Sequence, residues 1–142
     1  MTKTKQILLP ALLLFSFVLP ACMQNTGNSK DVQIDYGNSE IYTREDMDAA
    51  IAKIRSEFDG WEGCKLHSLR YGSDESSSPE TLDWMNELGD GPEYTECIRF
   101  ISDFHSPKQS GGPLNPDQEY TDYSWYLART DDGDWDLLTW GY

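Results

Sequence analysis

The feature that most restricts the possible folds is a pair of aromatic stretches near the C-terminal end, YTDYSWYLAR and DWDLLTWGY, which flank the sequence TDDG. In both stretches alternate side chains share one aromatic or apolar face, and this two-residue period is typical of β-strands. The Asp132-Gly133 pair between them is typical of a tight hairpin turn. The pattern therefore predicts an antiparallel hairpin here, and an antiparallel sheet that contains it.

Two further strands are predicted upstream of the hairpin. In CKLHSLRY, Leu66 and Leu69 fall on opposite faces of a regular strand, which indicates either a bulge or burial on both faces. The stretch ECIRFISDF carries apolar side chains on both faces, so we expect it to lie inside the sheet.

Two helices are predicted between these strands and before them. In TREDMDAAIAKIRSEF, Thr43 is placed to cap the first turn with Asp46 three residues later. In SPETLDWMNELG, Ser78 precedes Pro79 at the first helical position, and Gly89 marks the end. The longer helix has apolar residues at helical spacing, namely Met47, Ala50, Ile51, Ile54 and Phe58.

The predicted order is helix, strand, helix, strand, strand, strand. This order predicts an α+β domain, with an antiparallel four-stranded sheet and two helices packed on one face. We expect residues 40–142 to form a single domain, because about 100 residues supply one modest core. Residues 22–39 are rich in Asn, Ser, Gln and Gly without any period, and we predict that they form a flexible tether.

The N-terminal segment has the layout of an export signal. Two lysines precede an apolar run that is too short to cross a hydrocarbon core of about 30 Å. The run ends in LPAC, where Leu19, Ala21 and Cys22 occupy the positions of the lipobox, so the segment resembles that of bacterial lipoproteins. The alternative is a plain signal peptide followed by a chance cysteine.

The lipobox resemblance implies a location. In that family a diacylglycerol is attached to the cysteine thiol and the chain is cut just before it, which makes residues 1–21 the signal peptide and Cys22 the lipidated N-terminus. Two acyl chains give stable anchoring where one chain binds only marginally. We therefore expect a protein that is anchored to the cell membrane by its lipid and that faces the extracytoplasmic side.

A second resemblance concerns residues 43–142. A long helix before a bent sheet whose last hairpin reads W-x-L-x-R and G-x-W resembles the cystatin-like, nuclear-transport-factor-like superfamily. It resembles more particularly small uncharacterised lipoproteins of Gram-positive gut bacteria. The resemblance implies a cystatin-like fold, and for enzymes of the superfamily it implies a carboxylate base such as Asp103 with Tyr123 or Tyr126 at the oxyanion.

The charge of the chain excludes one class of partner. Asp and Glu number 25 against 11 Lys and Arg, and the formal net charge is −14. Because nucleic-acid binding draws its affinity from basic groups that neutralise phosphates, we expect no nucleic-acid partner. The acidity is explained either by solubility outside the cell or by attraction of cationic peptides or metal ions.

An acid and a base lie close together where the second predicted strand, ECIRFISDF, ends. Asp103 and His105 share a strand face at the start of the irregular stretch HSPKQSGGPLNPDQE, so they are the candidate catalytic pair. The alternative is a solvated strand end. The two histidines and the cysteines show no recognisable zinc spacing, so we expect no metal and no cofactor.

Aromatic residues supply the candidate binding site. Tyr120, Tyr123 and Trp125 lie just after the irregular stretch and are the predicted ligand-binding residues. Trp61 and Trp84 are further candidates for a groove that holds a sugar or a peptide. The alternative is that these side chains form the core of a small domain.

Cys64 and Cys97 are the only thiols after Cys22. An exported location permits a disulfide between them, which would stabilise the fold by about 3 to 4 kcal/mol in the chain-entropy model. The alternative is two small buried thiols on separate elements.

Together these features favour a membrane-anchored, non-catalytic module that binds a glycan or a peptide. A weak acid-base enzyme that uses Asp103 and His105 is the alternative, and a structural role in the envelope is also open.

Overall fold

The computed structural model describes residues 27–110 and 112–142, so Cys22 and the predicted signal peptide lie outside the described residues. The described chain is a mixed α+β domain. Its elements are β1 (Gln33–Asp35), α1 (Arg44–Phe58), β2 (Lys65–Tyr71), a short 3-10 turn (Asp74–Ser77), α2 (Pro79–Leu88), β3 (Glu96–His105), β4 (Glu119–Arg129) and β5 (Asp136–Gly141). None of the described helices is both long enough and apolar enough to cross a membrane.

The sheet has five strands in the order β1-β2-β3-β4-β5. Neighbours from β2 to β5 are antiparallel, whereas β1 pairs with β2 in parallel. Parallel neighbours need a crossover connection, and α1 provides it. The predicted α+β class and the two helices are confirmed, but the predicted four-stranded antiparallel sheet lacks the parallel strand β1.

The additional strand lies in the segment predicted as a tether. Asn28 forms a parallel bridge with Lys65, and the Ser29 hydroxyl donates to a carboxylate oxygen of Asp59 at 2.8 Å. The prediction of a flexible tether over residues 22–39 is therefore wrong for the part from residue 28 to β1, because backbone pairing with β2 fixes it. Residues 22–26 lie outside the described residues.

Helix α1 begins and packs as its sequence predicts. The Thr43 side chain accepts from the backbone N–H of Asp46, and the Asp46 carboxylate accepts from the backbone N–H of Thr43, which forms a complete capping box. All five apolar positions of the predicted stripe are buried, namely Met47, Ala50, Ile51, Ile54 and Phe58. The helix thus covers one face of the sheet.

The two helices pack on opposite faces of the sheet. The core under α1 contains Phe100 of β3 and Leu127 of β4. The smaller core under α2 contains Cys97 of β3 and Ala128 of β4 together with Met85. Because neighbouring strand residues point to opposite faces, these two sets lie on different sides, and the prediction that both helices share one face is wrong.

Three bulges interrupt the alternation of the strands. They lie at His67 in β2, at residues 121–122 in β4 and at Leu138 in β5. The bulge at His67 brings Leu66 and Leu69 into the same core, so the bulge indicated by their sequence spacing is confirmed.

A buried arginine joins the final hairpin to α1. The Arg129 guanidinium donates to Asp46 at 2.9 Å and to Glu96 at 2.7 Å, and it lies 4.3 Å from the centroid of the Trp135 ring. The Trp135 indole N–H donates to the backbone carbonyl of Asp46 at 3.0 Å. The first turn of α1 is therefore fixed by residues at the far end of the chain.

The hairpin turn between β4 and β5 forms at the predicted TDDG. The Gly133 N–H donates to the Thr130 carbonyl at 2.9 Å, and the two residues between them have φ angles of 44° and 58°. Both φ signs are those of a type I′ turn, with Asp131 and Asp132 at its centre. A Cβ at Gly133 would lie 2.8 Å from the Thr130 carbonyl oxygen, which explains the glycine.

Candidate functional site

A concave cavity of about 540 Å³ opens on the α1 side of the sheet. This volume lies within the usual range for small-molecule sites, which is about 300 to 1,000 Å³. We call it the aromatic pocket, and its described lining residues are Gly60, Trp61, Glu62, Cys64, Gln109, Ser110, Gly112, Pro113, Leu114, Tyr123 and Trp140.

Trp61 forms the inner wall of the aromatic pocket. It lies in the turn after α1, and its ring centroid is 5.3 Å from that of Phe58 and 5.1 Å from that of Trp125. Its indole N–H donates to the Glu57 carboxylate at 3.3 Å. These contacts fix the ring at the edge of the core, so Trp61 presents a rigid aromatic surface.

Trp140 and Tyr123 supply two further rings. The bulge at Leu138 turns Trp140 onto the α1 side of β5, where it lies opposite Trp125 in the neighbouring strand. The Trp61 centroid is 6.2 Å from that of Trp140 and 6.0 Å from that of Tyr123. Trp140 is 39% exposed, so a ligand can reach its face.

The opposite wall is formed by described residues of the loop between β3 and β4, 106–110 and 112–118. The Ser106 hydroxyl donates to the carbonyl of Asn115 at 2.6 Å and accepts from the N–H of Gln118 at 2.9 Å. The Asn115 N–H donates to the Tyr120 hydroxyl at 2.8 Å. Both ends of the loop are thus tied to the sheet, which positions the wall residues between them.

The described lining of the aromatic pocket carries negative charge and no positive charge. Glu62 is the only acidic residue among its described lining residues, and none of them is Lys, Arg or His. Burial raises the pKa of the Tyr123 phenol, so it stays a neutral hydroxyl at ordinary pH. The remaining polar side chains are the Gln109 amide and the Ser110 hydroxyl.

Of the predicted binding residues, one lines the aromatic pocket and two are buried behind it. Tyr123 lines the aromatic pocket, as does Trp61. Trp125 is fully buried beneath it, where its indole N–H donates to the Ser102 hydroxyl at 2.8 Å. Tyr120 is also buried and stacks on a core phenylalanine at 4.9 Å, so Trp125 and Tyr120 support the site from behind.

Trp84, the remaining sequence candidate, is not among the lining residues of the aromatic pocket. It belongs to α2 and is 40% exposed, and its ring contacts Tyr126 at 4.9 Å on the other face of the sheet. It therefore matches Trp140 in exposure but not in surroundings.

Asp103 and His105 form hydrogen bonds with different partners. His105 bonds to Asp117 at 3.0 Å and to Glu119 at 2.9 Å, whereas an Asp103 carboxylate oxygen accepts from the backbone N–H of Asp122 at 3.0 Å. Both side chains point to the sheet face opposite the aromatic pocket, because Phe104 between them points into the core under α1. The candidate catalytic pair therefore has no cavity in common with the aromatic rings.

His105 belongs to a small ionic cluster at the foot of the loop. Hydrogen bonds to the carboxylates of Asp117 and then Glu119 raise the pKa of its imidazole. His67 reaches the other carboxylate oxygen of Glu119 at 3.2 Å. Over residues 27–110 and 112–142, no group of three or more His, Cys, Asp or Glu side chains is arranged to hold a metal ion.

Cys64 and Cys97 are free and buried. Cys64 precedes Lys65, which pairs with His105, and Cys97 lies eight residues from His105 along β3, or about 26 Å at the rise of a strand. A disulfide requires Cα atoms within about 7 Å, so the predicted bridge is wrong and the alternative of two buried thiols is confirmed. Burial raises the pKa of the Cys97 thiol to about 11 and also raises that of Cys64.

Sequence reasoning missed Trp140 and Glu62. A regular alternation along β5 would place Trp140 and Leu137 on different faces of the sheet. The bulge at Leu138 brings both side chains to the same face. Glu62 follows Trp61 in the turn after α1, so its proximity to an aromatic candidate was the one available signal.

Comparisons with protein-family models, with curated proteins and with solved structures found no match to this chain. The site is therefore interpreted from its own geometry.

Proposed function

We propose that this protein is a lipid-anchored extracytoplasmic lipoprotein whose domain is a non-catalytic binding module, with the aromatic pocket as its ligand site. The observation that carries the proposal is the set of three rings, Trp61, Tyr123 and Trp140, around a cavity of about 540 Å³. Concave sites with apolar walls and few polar groups are typical of ligand binding. A neutral glycan or a basic peptide suits the site, because no basic side chain lines its described part.

Binding is tested with Trp140→Ala and a matched control, Trp84→Ala. The two indoles have almost the same exposure, 39% and 40%, but only Trp140 lines the aromatic pocket. We expect the unaltered protein to bind members of a glycan or peptide array, and Trp140→Ala to weaken that binding by about fivefold or more, since aromatic contacts contribute about 1 kcal/mol. Equal losses in both variants would rule out the aromatic pocket as the site.

The lipid anchor is tested by metabolic labelling with a palmitate analogue. We expect the full chain to incorporate the label and to fractionate with membranes, and Cys22→Ala to lose both, because its thiol is the proposed site of acylation. Cys64→Ala is the control, since this buried thiol is not a proposed acylation site. An unlabelled, freely secreted wild-type protein would refute the anchor.

The alternative, a weak acid-base enzyme that uses Asp103 and His105, has less support. A catalytic acid and base must reach one substrate, and both side chains lie on the sheet face opposite the aromatic pocket. His105 is moreover occupied by Asp117 and Glu119.

A relationship to the cystatin-like superfamily also stays a proposal. It is supported by the long helix α1 packed across antiparallel strands that carry three bulges. The parallel strand β1 and the position of α2 on the opposite face depart from the expected pattern.

A further inference from the structure

We propose that the aromatic pocket recognises an organic cation, namely an alkylated or primary ammonium group carried by its ligand. This inference rests on the proposed binding function and narrows its ligand class. Three features of the described lining carry it: the arrangement of the rings, the single carboxylate and the absence of any basic side chain there.

The rings are spaced so that one cation can contact several of them. Ammonium groups are attracted to aromatic faces when they lie within about 6 Å of the ring centroid. The Trp61 centroid is 6.0 Å from that of Tyr123 and 6.2 Å from that of Trp140, so the three rings adjoin one another, and a cation held against Trp61 in the concavity lies beside the other two. Trp61 and Tyr123 are nearly perpendicular, at 88°, which gives the concavity walls of different orientation.

The charge of the site favours the same ligand. Glu62 lines the aromatic pocket, and within the described residues it forms no salt bridge. A neutral ligand that covered Glu62 would remove water from a carboxylate without supplying a countercharge, which costs free energy. An ammonium group supplies that charge, and the net charge of −14 on the whole chain attracts it over a longer range.

Anionic ligands are disfavoured by the same features. A phosphate or carboxylate would meet Glu62 and the negative faces of three aromatic rings, with no Lys, Arg or His among the described lining residues to neutralise it. The chemistry that remains is an ammonium group attached to apolar carbon, as in quaternary amines and in lysine side chains.

The test measures tryptophan fluorescence of the full chain in a polyoxyethylene detergent, which carries neither sugar nor ammonium groups. The probes are choline, 3,3-dimethylbutan-1-ol, which has the shape of choline without its charge, and Nα-acetyl-lysine methylamide. We expect choline or the lysine derivative to quench the fluorescence saturably, and the neutral alcohol to bind at least about tenfold more weakly.

Matched variants locate the binding. We expect Trp140→Ala to weaken cation binding by about five- to tenfold, because it removes a ring. Glu62→Gln removes the countercharge, and because Glu62 is exposed we expect the loss to be about two- to fivefold. Trp84→Ala and Glu87→Gln make the same changes of side chain and net charge on α2, and they are expected to leave the affinity unchanged.

The outcomes separate this inference from the proposed function. If choline and its neutral analogue bind equally, or if Glu62→Gln has no effect, the cation inference is overturned. If neutral saccharides bind instead and Trp140→Ala abolishes that binding, the cation inference fails while the binding function stands. A stronger response to the lysine derivative than to choline supports the inference and indicates a peptide as the source of the cation, and the reverse indicates a quaternary amine.

Discussion

Replacing Arg129 with methionine is expected to lower the free energy of unfolding by about 3 kcal/mol, because two partly buried carboxylates lose their positively charged partner. The guanidinium is almost completely buried and donates to both Asp46 and Glu96. Methionine retains most of the side-chain volume, so the loss reflects the missing charge and hydrogen bonds. Urea denaturation at neutral pH, followed by tryptophan fluorescence, measures it.

The same substitution predicts a change in pH dependence. Burial raises the pKa of Asp46, but hydrogen bonds from Thr43 and Arg129 outweigh that effect and leave the pKa below its usual value. A carboxyl with a lowered folded-state pKa stabilises the fold above its unfolded pKa, and this contribution is lost as pH falls through the folded value. We therefore expect wild type and Arg129→Met to converge in stability as the pH falls below about 4.

The control for this prediction is Arg70→Met. Arg70 bonds to Asp122 at an exposed position, where the side chains are 41% and 73% exposed, so its loss is expected to cost less than about 1 kcal/mol. Equal stabilities of the two variants would show that the cluster around Arg129 contributes no more than a surface ion pair.

Removing the segment before Glu40 is expected to destabilise the domain by at least about 3 kcal/mol. Val32, Ile34 and Tyr36 pack against the main core while half-buried, and each contributes about 1 kcal/mol by the usual transfer values. Their removal also uncovers the edge of β2, which loses its pairing with β1. The comparison is between chains that begin at residue 27 and at residue 40, both measured by urea denaturation.

The uncovered edge gives this prediction a second measurement. An exposed strand edge is a template for pairing with another chain, so the shorter chain is expected to self-associate more readily in size-exclusion chromatography. A shorter chain that remains monomeric and as stable as the longer one would mean that β1 is dispensable and that residues 40–142 form the complete domain.

The parts of the fold that sequence predicted are those set by local chemistry. The capping box of Thr43 and Asp46 and the caps of α2 act within one helical turn, so their sequence spacing is sufficient. Strand β1 has only three residues, and its pairing with β2 depends on the path of α1 between them, so no local period marks it. The side of the sheet that α2 covers likewise depends on tertiary packing.

The sequence indicated some of the aromatic residues that line the pocket, but not all of its lining residues. Aromatic density near the loop pointed to Tyr123 and Trp61, and both side chains line the aromatic pocket. A spacing of two residues paired Asp103 with His105. His105 instead bonds to Asp117 in the loop and to Glu119, its neighbour across the sheet in β4. Trp140 required the bulge at Leu138, which sequence alternation does not reveal.

The contacts between the first turn of α1 and the final hairpin affect how the chain acquires its fold. Arg129 and Trp135 reach Asp46 across 83 and 89 residues of sequence. Contacts of such separation close large loops, and chains that depend on them fold more slowly than those built from local contacts. Helix α1 precedes the last hairpin in the sequence, yet Arg129 and Trp135, which hold its first turn, belong to that hairpin. Without that hairpin the apolar stripe of α1 lacks much of its core, so we expect a chain that has not yet formed the hairpin to be open to binding by chaperones.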